Sequence, residues 1–157
     1  MITIRRLQIG EAELFRQIRL TALKDAPYAF PVNYDSAIQR SAESWHEQAE
    51  RTARGSDRAT FIAFSEDIPI AMMALYRLED QVDVGELLQV WVSSEHRGTK
   101  VAWDLTDMIF QWAGENNFHK IKAGVVKGND RAVKFYIKYG FKILEETSTG
   151  VYLVKEV

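Results

Sequence analysis

Apolar and polar positions alternate along this chain in a way that predicts strands at its start, middle and end, with helices between them. Ile2 to Leu7 reads as an opening strand. Glu11 to Leu23 reads as a helix, because Leu14, Ile18 and Ala22 recur at a helical interval with Phe15 beside them. Pro27 and Pro31 break that pattern, since each disfavours helix in itself and in its predecessor. Ser41 then serves as a helix-starting residue for a second helix carrying Trp45 and Ala49. Ala59–Ser65 and Ile70–Leu78 read as strands joined through Glu66-Asp67, with Gly85–Val92 as a third. Ala102–Asn117 is the longest helix, its apolar face made of Leu105, Met108, Ile109 and Trp112. Lys120–Val126 returns as a strand, Asp130–Tyr139 is a short helix, and Phe141–Ser148 with Val151–Lys155 form a closing hairpin.

The resulting order, β-α-α-β-β-β-α-β-α-β-β, predicts an α/β fold with a central mixed sheet flanked by helices. A parallel strand–helix–strand unit is expected in the second half, with a right-handed crossover. At 157 residues, and with no repeat, linker or low-complexity tract, residues 1–157 are expected to form one domain.

Composition narrows the function classes. Twenty Lys+Arg against 22 Asp+Glu leave a net charge of −2, so no general electrostatic drive toward nucleic acid exists. The chain has no cysteine, which excludes disulfides, thiolate metal sites and an acyl-cysteine intermediate. His46, His96 and His119 show no metal-ligand spacing, so no metal site is expected. Ser93 and Ser94 lack a nearby His–Asp arrangement for a hydrolase triad. No apolar stretch approaches the roughly 18 residues that cross a bilayer, and the first residues do not resemble a secretory signal. A cytoplasmic protein without membrane contact is the expectation, and monomer and homodimer both stay open.

Two stretches carry candidate chemistry. In Val90-Trp91-Val92-Ser93-Ser94-Glu95-His96-Arg97-Gly98-Thr99-Lys100-Val101-Ala102, a strand runs through a glycine-containing turn into a helix. That order gathers free backbone N–H groups around one point, and the helix dipole favours an anion such as a phosphate there. The plain alternative is a turn and helix start with no ligand. About 30 residues on, Asn129-Asp130-Arg131-Ala132-Val133-Lys134-Phe135-Tyr136-Ile137-Lys138-Tyr139-Gly140-Phe141 reads as a capped helix with a glycine stop. Its plain alternative is an amphipathic helix whose tyrosines simply pack.

Taken together, and in this order, the two stretches resemble the GNAT superfamily of acyl-CoA-dependent N-acetyltransferases. Asn129, Ala132, Tyr136, Gly140 and Phe141 match the pattern Asn-x-x-Ala-x-x-x-Tyr-x-x-x-Gly-Phe. Arg97 and Ala102 match the ends of the pyrophosphate loop, whose central glycine is replaced here by Lys100. Lys100 either adds a cation beside the phosphates or disturbs the loop, if that glycine served a positive φ. The resemblance implies a GNAT-like acyl-CoA N-acyltransferase fold and acetyl-CoA as co-substrate. Val90, Trp91 and Val92 would then line the pantetheine arm, Arg97, Gly98, Thr99, Lys100, Val101 and Ala102 the pyrophosphate, with Asn129 and Ala132 nearby. Tyr136 would protonate the departing thiolate. One member of the Arg131, Lys134, Lys138 and Lys142 cluster would approach the 3′-phosphate, unless that cluster is only a solvated helix face.

A thioester is attacked by a neutral amine, yet an alkylammonium of pKa roughly 10.4 is almost wholly protonated at neutral pH. Glu86, on the strand feeding the loop, sits like the general-base glutamate of some members; otherwise it is a solvent-facing carboxylate. Arg19 to Phe30 resembles the first helix and acceptor-side loop of a bacterial subgroup, so Tyr28, Phe30 and Tyr34 are candidate walls of the acceptor pocket. The implied partner is a small-molecule or peptide amine, transferred to directly through a ternary complex. Two rivals keep the fold without the reaction: a non-catalytic acyl-CoA-binding or regulatory module, and a protein-interaction domain.

Overall fold

The computed structural model describes residues 1–157. Strand β1 (Ile2–Arg6) is followed by helix α1 (Ala12–Asp25), a 3-10 turn at Pro27–Ala29, and helices α2 (Tyr34–Ile38) and α3 (Ala42–Ala53). Strands β2 (Arg58–Ser65), β3 (Ile68–Arg77) and β4 (Val84–Val92) form the middle. Helix α4 (Val101–Glu115), strand β5 (Lys120–Val126), helix α5 (Asp130–Tyr139) and strands β6 (Lys142–Glu146) and β7 (Gly150–Glu156) complete the chain.

All seven strands join one mixed sheet in the order β1-β2-β3-β4-β5-β7-β6. Only β4 and β5 run parallel, as the strand–helix–strand pattern predicts, because α4 must carry the chain back before β5 can begin. The helix α2 was not expected from the sequence. It is a five-residue segment started by Asn33, whose side chain accepts from the Ser36 N–H at 2.8 Å. Ser41 caps α3 in the same way, accepting from Ser44 N at 3.1 Å.

The sheet separates two cores. Ala59, Phe61, Ala63, Met73 and Leu75 point to one face, where Leu105, Ile109 and Trp112 of α4 and Tyr136 of α5 cover them. Ile62, Phe64 and Met72 point to the other, against Phe15 and Ile18 of α1 and Trp45 of α3. This is the period-two alternation of a strand buried on both faces.

Strand β4 breaks its own alternation. Leu87 belongs to the α4 face, yet Trp91, four residues on, belongs to the α1 face. The cause is a bulge: Met72 pairs with Trp91 and Ala74 with Leu88, so Gln89 and Val90 together oppose Met73. Gln89 takes φ +58°, a left-handed conformation uncommon for a residue with a side chain. Past the bulge β4 no longer follows β5. Their pairing ends at Leu87↔Ala123, and beyond it the β5-facing edge of β4 is left unpaired.

Candidate active site

The opening between β4 and β5 is floored by α5, whose position is set by local signals. Asn129 starts the helix by accepting from the Ala132 N–H at 3.4 Å, and Gly140 ends it at φ +122°. Only glycine takes that conformation without strain, and it lets both Gly140 N–H and Phe141 N–H donate to the Tyr136 carbonyl. Trp103 and Phe110 of α4 pack against the Tyr139 ring in tilted geometry, and the Tyr139 hydroxyl donates to Asp107 at 2.6 Å. Tyr136 is thereby turned inward, its ring 5.1 Å from that of Phe141 and 5.5 Å from that of Phe135.

Two cavities open along this seam. One, of about 350 Å³, is lined by Val90–Val92, by Arg97–Thr99 and Ala102, and by Asn129, Ala132 and Tyr136. The other, of about 460 Å³, is lined by Phe30, Glu86, Leu88, Gln89, Gly124 and Tyr136 among others. They share Ala29, Val90, Asn129, Ala132 and Tyr136, so the phenol stands where they meet. Burial raises its pKa above the ordinary phenol range of roughly 10, with no hydrogen bond contributing. A phenol so placed stays protonated and can act only as a donor near neutral pH.

The loop before α4 takes its shape from Gly98, at φ +78°. Lys100, which replaces the usual central glycine, has an ordinary helical backbone with φ −76° and caps α4 through its main chain. Its ammonium turns to Asp104 Oδ1 at 3.1 Å, out in solvent. The positive φ therefore belongs to Gly98, and a side chain at position 100 carries no backbone strain. Neither Lys100 nor the buried Val101 lines the cleft.

Arg97 lines the cleft but is already engaged. Its Nε donates to the Val92 carbonyl at 2.9 Å and its Nη2 to Asp25 Oδ2 at 2.5 Å. The same Asp25 oxygen accepts from Trp91 Nε1 at 2.9 Å, so one carboxylate at the end of α1 ties β4 and the loop together. The cation left beside the glycine turn is Arg131, whose Nη2 is the nearest group to a side chain built at Gly98, 3.8 Å away.

Glu86 is half-buried in the second cavity, cross-strand from Tyr76 on β3 and from Lys122 on β5. The three aromatic candidates separate. Phe30 lines the second cavity, Tyr28 lines the first and is largely exposed, and Tyr34 lines neither. Tyr34 opens α2, with the Lys24 ammonium 5.8 Å from its ring centre. Trp103 and Phe135 also wall the first cavity, and Gln89, Gly124 and Tyr152 the second; the last three have no signal in the linear sequence. Trp103 and Phe135 had a signal, since both lie on the cleft-facing sides of their helices.

Comparisons with known proteins give the family and the fold. Residues 20–141 match the model of the acetyltransferase (GNAT) family. The chain belongs to that family. Among solved structures it is similar to a GNAT-family acetyltransferase from Streptococcus pneumoniae, with a TM-score of 0.83 and 16% identity over 100% of this chain and 99% of that one. It is also similar to the PaiA N-acetyltransferase from Thermoplasma acidophilum in complex with coenzyme A (TM-score 0.81, 18% identity, 100% and 99% covered). A third is the ribosomal-protein-alanine N-acetyltransferase from Brucella melitensis (TM-score 0.79, 17% identity, 99% of both chains). At these identities the likeness is one of fold. No curated protein sequence matches the chain. No helix is long and apolar enough to cross a membrane.

Proposed function

We propose that this protein transfers the acetyl group of acetyl-CoA directly to a primary amine, within a complex of both substrates. The observation that carries this reading is the junction at Tyr136, where two cavities meet at a buried, protonated phenol. A phosphate-bearing, extended ligand suits the first cavity. The unpaired edge of β4 offers main-chain groups that a pantetheine arm would meet as an added strand does. The glycine turn and the first-turn amides of α4 offer donors for a pyrophosphate, with Arg131 as a nearby cation.

The amine would enter from the second cavity. Glu86, directly or through water, takes the proton that makes the ammonium a nucleophile. The amine lone pair then bonds to the thioester carbon, whose oxygen becomes an oxyanion met by backbone donors. The carbon–sulfur bond breaks, the nitrogen gives up its second proton to solvent, and the thiolate takes its proton from Tyr136, which solvent then reprotonates. The net reaction converts an ammonium and acetyl-CoA into an amide, free CoA and one released proton.

The deciding experiment measures free thiol from acetyl-CoA with a panel of amines, from polyamines and aminoglycosides to amino acids and peptides. Release with one class, and initial-rate lines that intersect, is the expected result. Parallel lines would indicate an acetylated enzyme and a nucleophile outside this scheme. CoA binding without release for any amine would leave the non-catalytic reading in place.

A further inference from the structure

Arg19 of α1 is a buried cation with no partner. Only 8% of the residue is exposed, its guanidinium makes no ion pair or hydrogen bond, and its Nη1 is fully enclosed. It stacks instead on the ring of Phe30, 5.1 Å from the ring centre, and Phe30 is a wall of the second cavity. A buried charge of this kind is costly unless paired, and proteins pair it or leave it for a ligand. Burial, aided by the neighbouring Arg40 cation and opposed by Tyr76, pushes its pKa down to about 10, so it is still charged at neutral pH.

The surroundings repeat the theme. Gln89, held at the bulge of β4, has an enclosed Oε1 without a partner, and its amide nitrogen lies 3.5 Å from the Tyr76 hydroxyl. That hydroxyl already accepts from Gln48 Nε2 at 3.0 Å. Gln89 lines the same cavity as Phe30 and Glu86. The cavity thus has the Glu86 carboxylate on one strand, and behind its aromatic wall Phe30, outside the lining itself, stands an arginine with no anion.

We propose that the acceptor amine also bears a carboxylate, and that Arg19, stacked on the cavity wall Phe30, is the group that receives it. The substrate class is an amino acid or a similarly small amino carboxylate, its ammonium toward Glu86 and its carboxylate toward Arg19. A guanidinium fork takes both oxygens of a carboxylate at once, and the neutral Gln89 amide can complete the set. Simple polyamines would bring a second cation to Arg19 and are disfavoured. This inference names the substrate class of the transfer proposed above and rests on it for the ammonium end; the carboxylate end is tested separately.

The binding test uses the reaction's expected products. N-acetyl-L-amino acids and the matching N-acetyl amino-acid amides are titrated calorimetrically into CoA-bound protein, with wild type, Arg19→Met and Arg19→Lys. Wild type should bind at least one carboxylate about tenfold or more tightly than its amide, the worth of one charge-assisted hydrogen-bonded pair. Arg19→Met should erase the difference, and Arg19→Lys should keep part of it. Equal binding of acids and amides across the panel, no binding of either, or a preference that survives Arg19→Met would overturn the proposal. Should Arg19→Met fail to fold, the wild-type and Arg19→Lys titrations still decide. A carboxylate preference without any thiol release would support the anion site and remove the transfer reading. Thiol release with amides and polyamines alone would do the reverse.

Discussion

In the proposed function, the chain between Val90 and Ala102 would meet the donor largely with main-chain groups: an unpaired strand edge, a glycine turn and the first amides of α4. Across the seam the second cavity is lined by side chains drawn from the α1–α2 connection, β4 and β5, with Arg19 of α1 stacked behind Phe30. The two sides answer to different constraints. Main-chain recognition depends on the path of the backbone, so it needs a few residues that permit that path and tolerates variation elsewhere. Side-chain recognition depends on which groups the tertiary fold gathers, and a single substitution changes what is recognised. A constant donor with a variable acceptor is the arrangement such a division serves.

Tyr136 stands on the boundary and belongs to both sides, so its loss should have the largest effect. Tyr136→Phe removes only the hydroxyl and keeps the buried ring. Turnover should fall by about 10²–10⁴-fold, while acetyl-CoA affinity stays nearly unchanged. Rapid-quench measurement of the chemical step checks this, and an unchanged rate would reduce Tyr136 to packing. The direction of its pKa adds a second check. Because the folded value lies above the unfolded value of roughly 10, acid catalysis by this phenol should persist up to that pH. For the same reason its contribution to stability is fully present below about pH 10 and declines as pH rises further. In Tyr136→Phe that part of the alkaline stability loss should disappear, as followed by thermal melting against pH.

Glu86→Gln tests the acceptor side without touching the donor side. The rate should drop by about 10²-fold near neutral pH, where almost no amine is already neutral. The defect should shrink as pH approaches the amine's own pKa of roughly 10.4. A loss that is flat with pH would assign Glu86 to positioning the acceptor, and no loss would leave solvent as the proton acceptor.

How much of this could be read in the sequence follows the same division. Tyr136, Asn129, Ala132 and Gly140 lie on or beside one short helix, so their spacing alone displays the motif, and the glycine turn is similarly contiguous. The succession of strands and helices was legible because hydrophobic periodicity encodes it, and a parallel pair in the second half followed from a helix set between two strands. The bulge at Gln89 was not. Nothing in Leu88-Gln89-Val90 announces a left-handed glutamine, and the bulge shows only as the switch of Trp91 to the opposite face from Leu87. Arg97 reads as a phosphate ligand because its partner, Asp25, lies 72 residues away. Arg19 reads as a polar helix position, since burial of one face of α1 beneath α2, α3 and Phe30 is a tertiary event.

Gly98→Val asks whether the donor side really depends on backbone path. A β-branched residue at φ +78° costs on the order of 1–2 kcal/mol, so either the turn shifts or the loop strains. Calorimetry should show CoA binding weakened by about tenfold, with the Gly98→Ala variant between it and wild type. Acceptor selectivity, measured as the ratio of kcat/KM for two amines, should not change. Altered selectivity would mean that the two sides are more tightly coupled than their separate construction implies.

The smallest effect is expected at the position where the loop departs most from its family pattern. Lys100→Gly restores the usual residue, yet the backbone there is helical and the side chain points to Asp104 and solvent. The substitution removes an exposed i, i+4 ion pair worth about 0.3–0.5 kcal/mol and relieves no strain. CoA affinity should therefore change by about twofold or less. Comparing CoA with dephospho-CoA at several salt concentrations sharpens the result. If Lys100 reached a phosphate, the glycine variant would lose affinity and much of its salt dependence, and the donor side would owe its grip to a side chain after all. If affinity instead rose well beyond twofold, a lysine here would be hindering the loop, and the ordinary φ at position 100 would not describe the bound state.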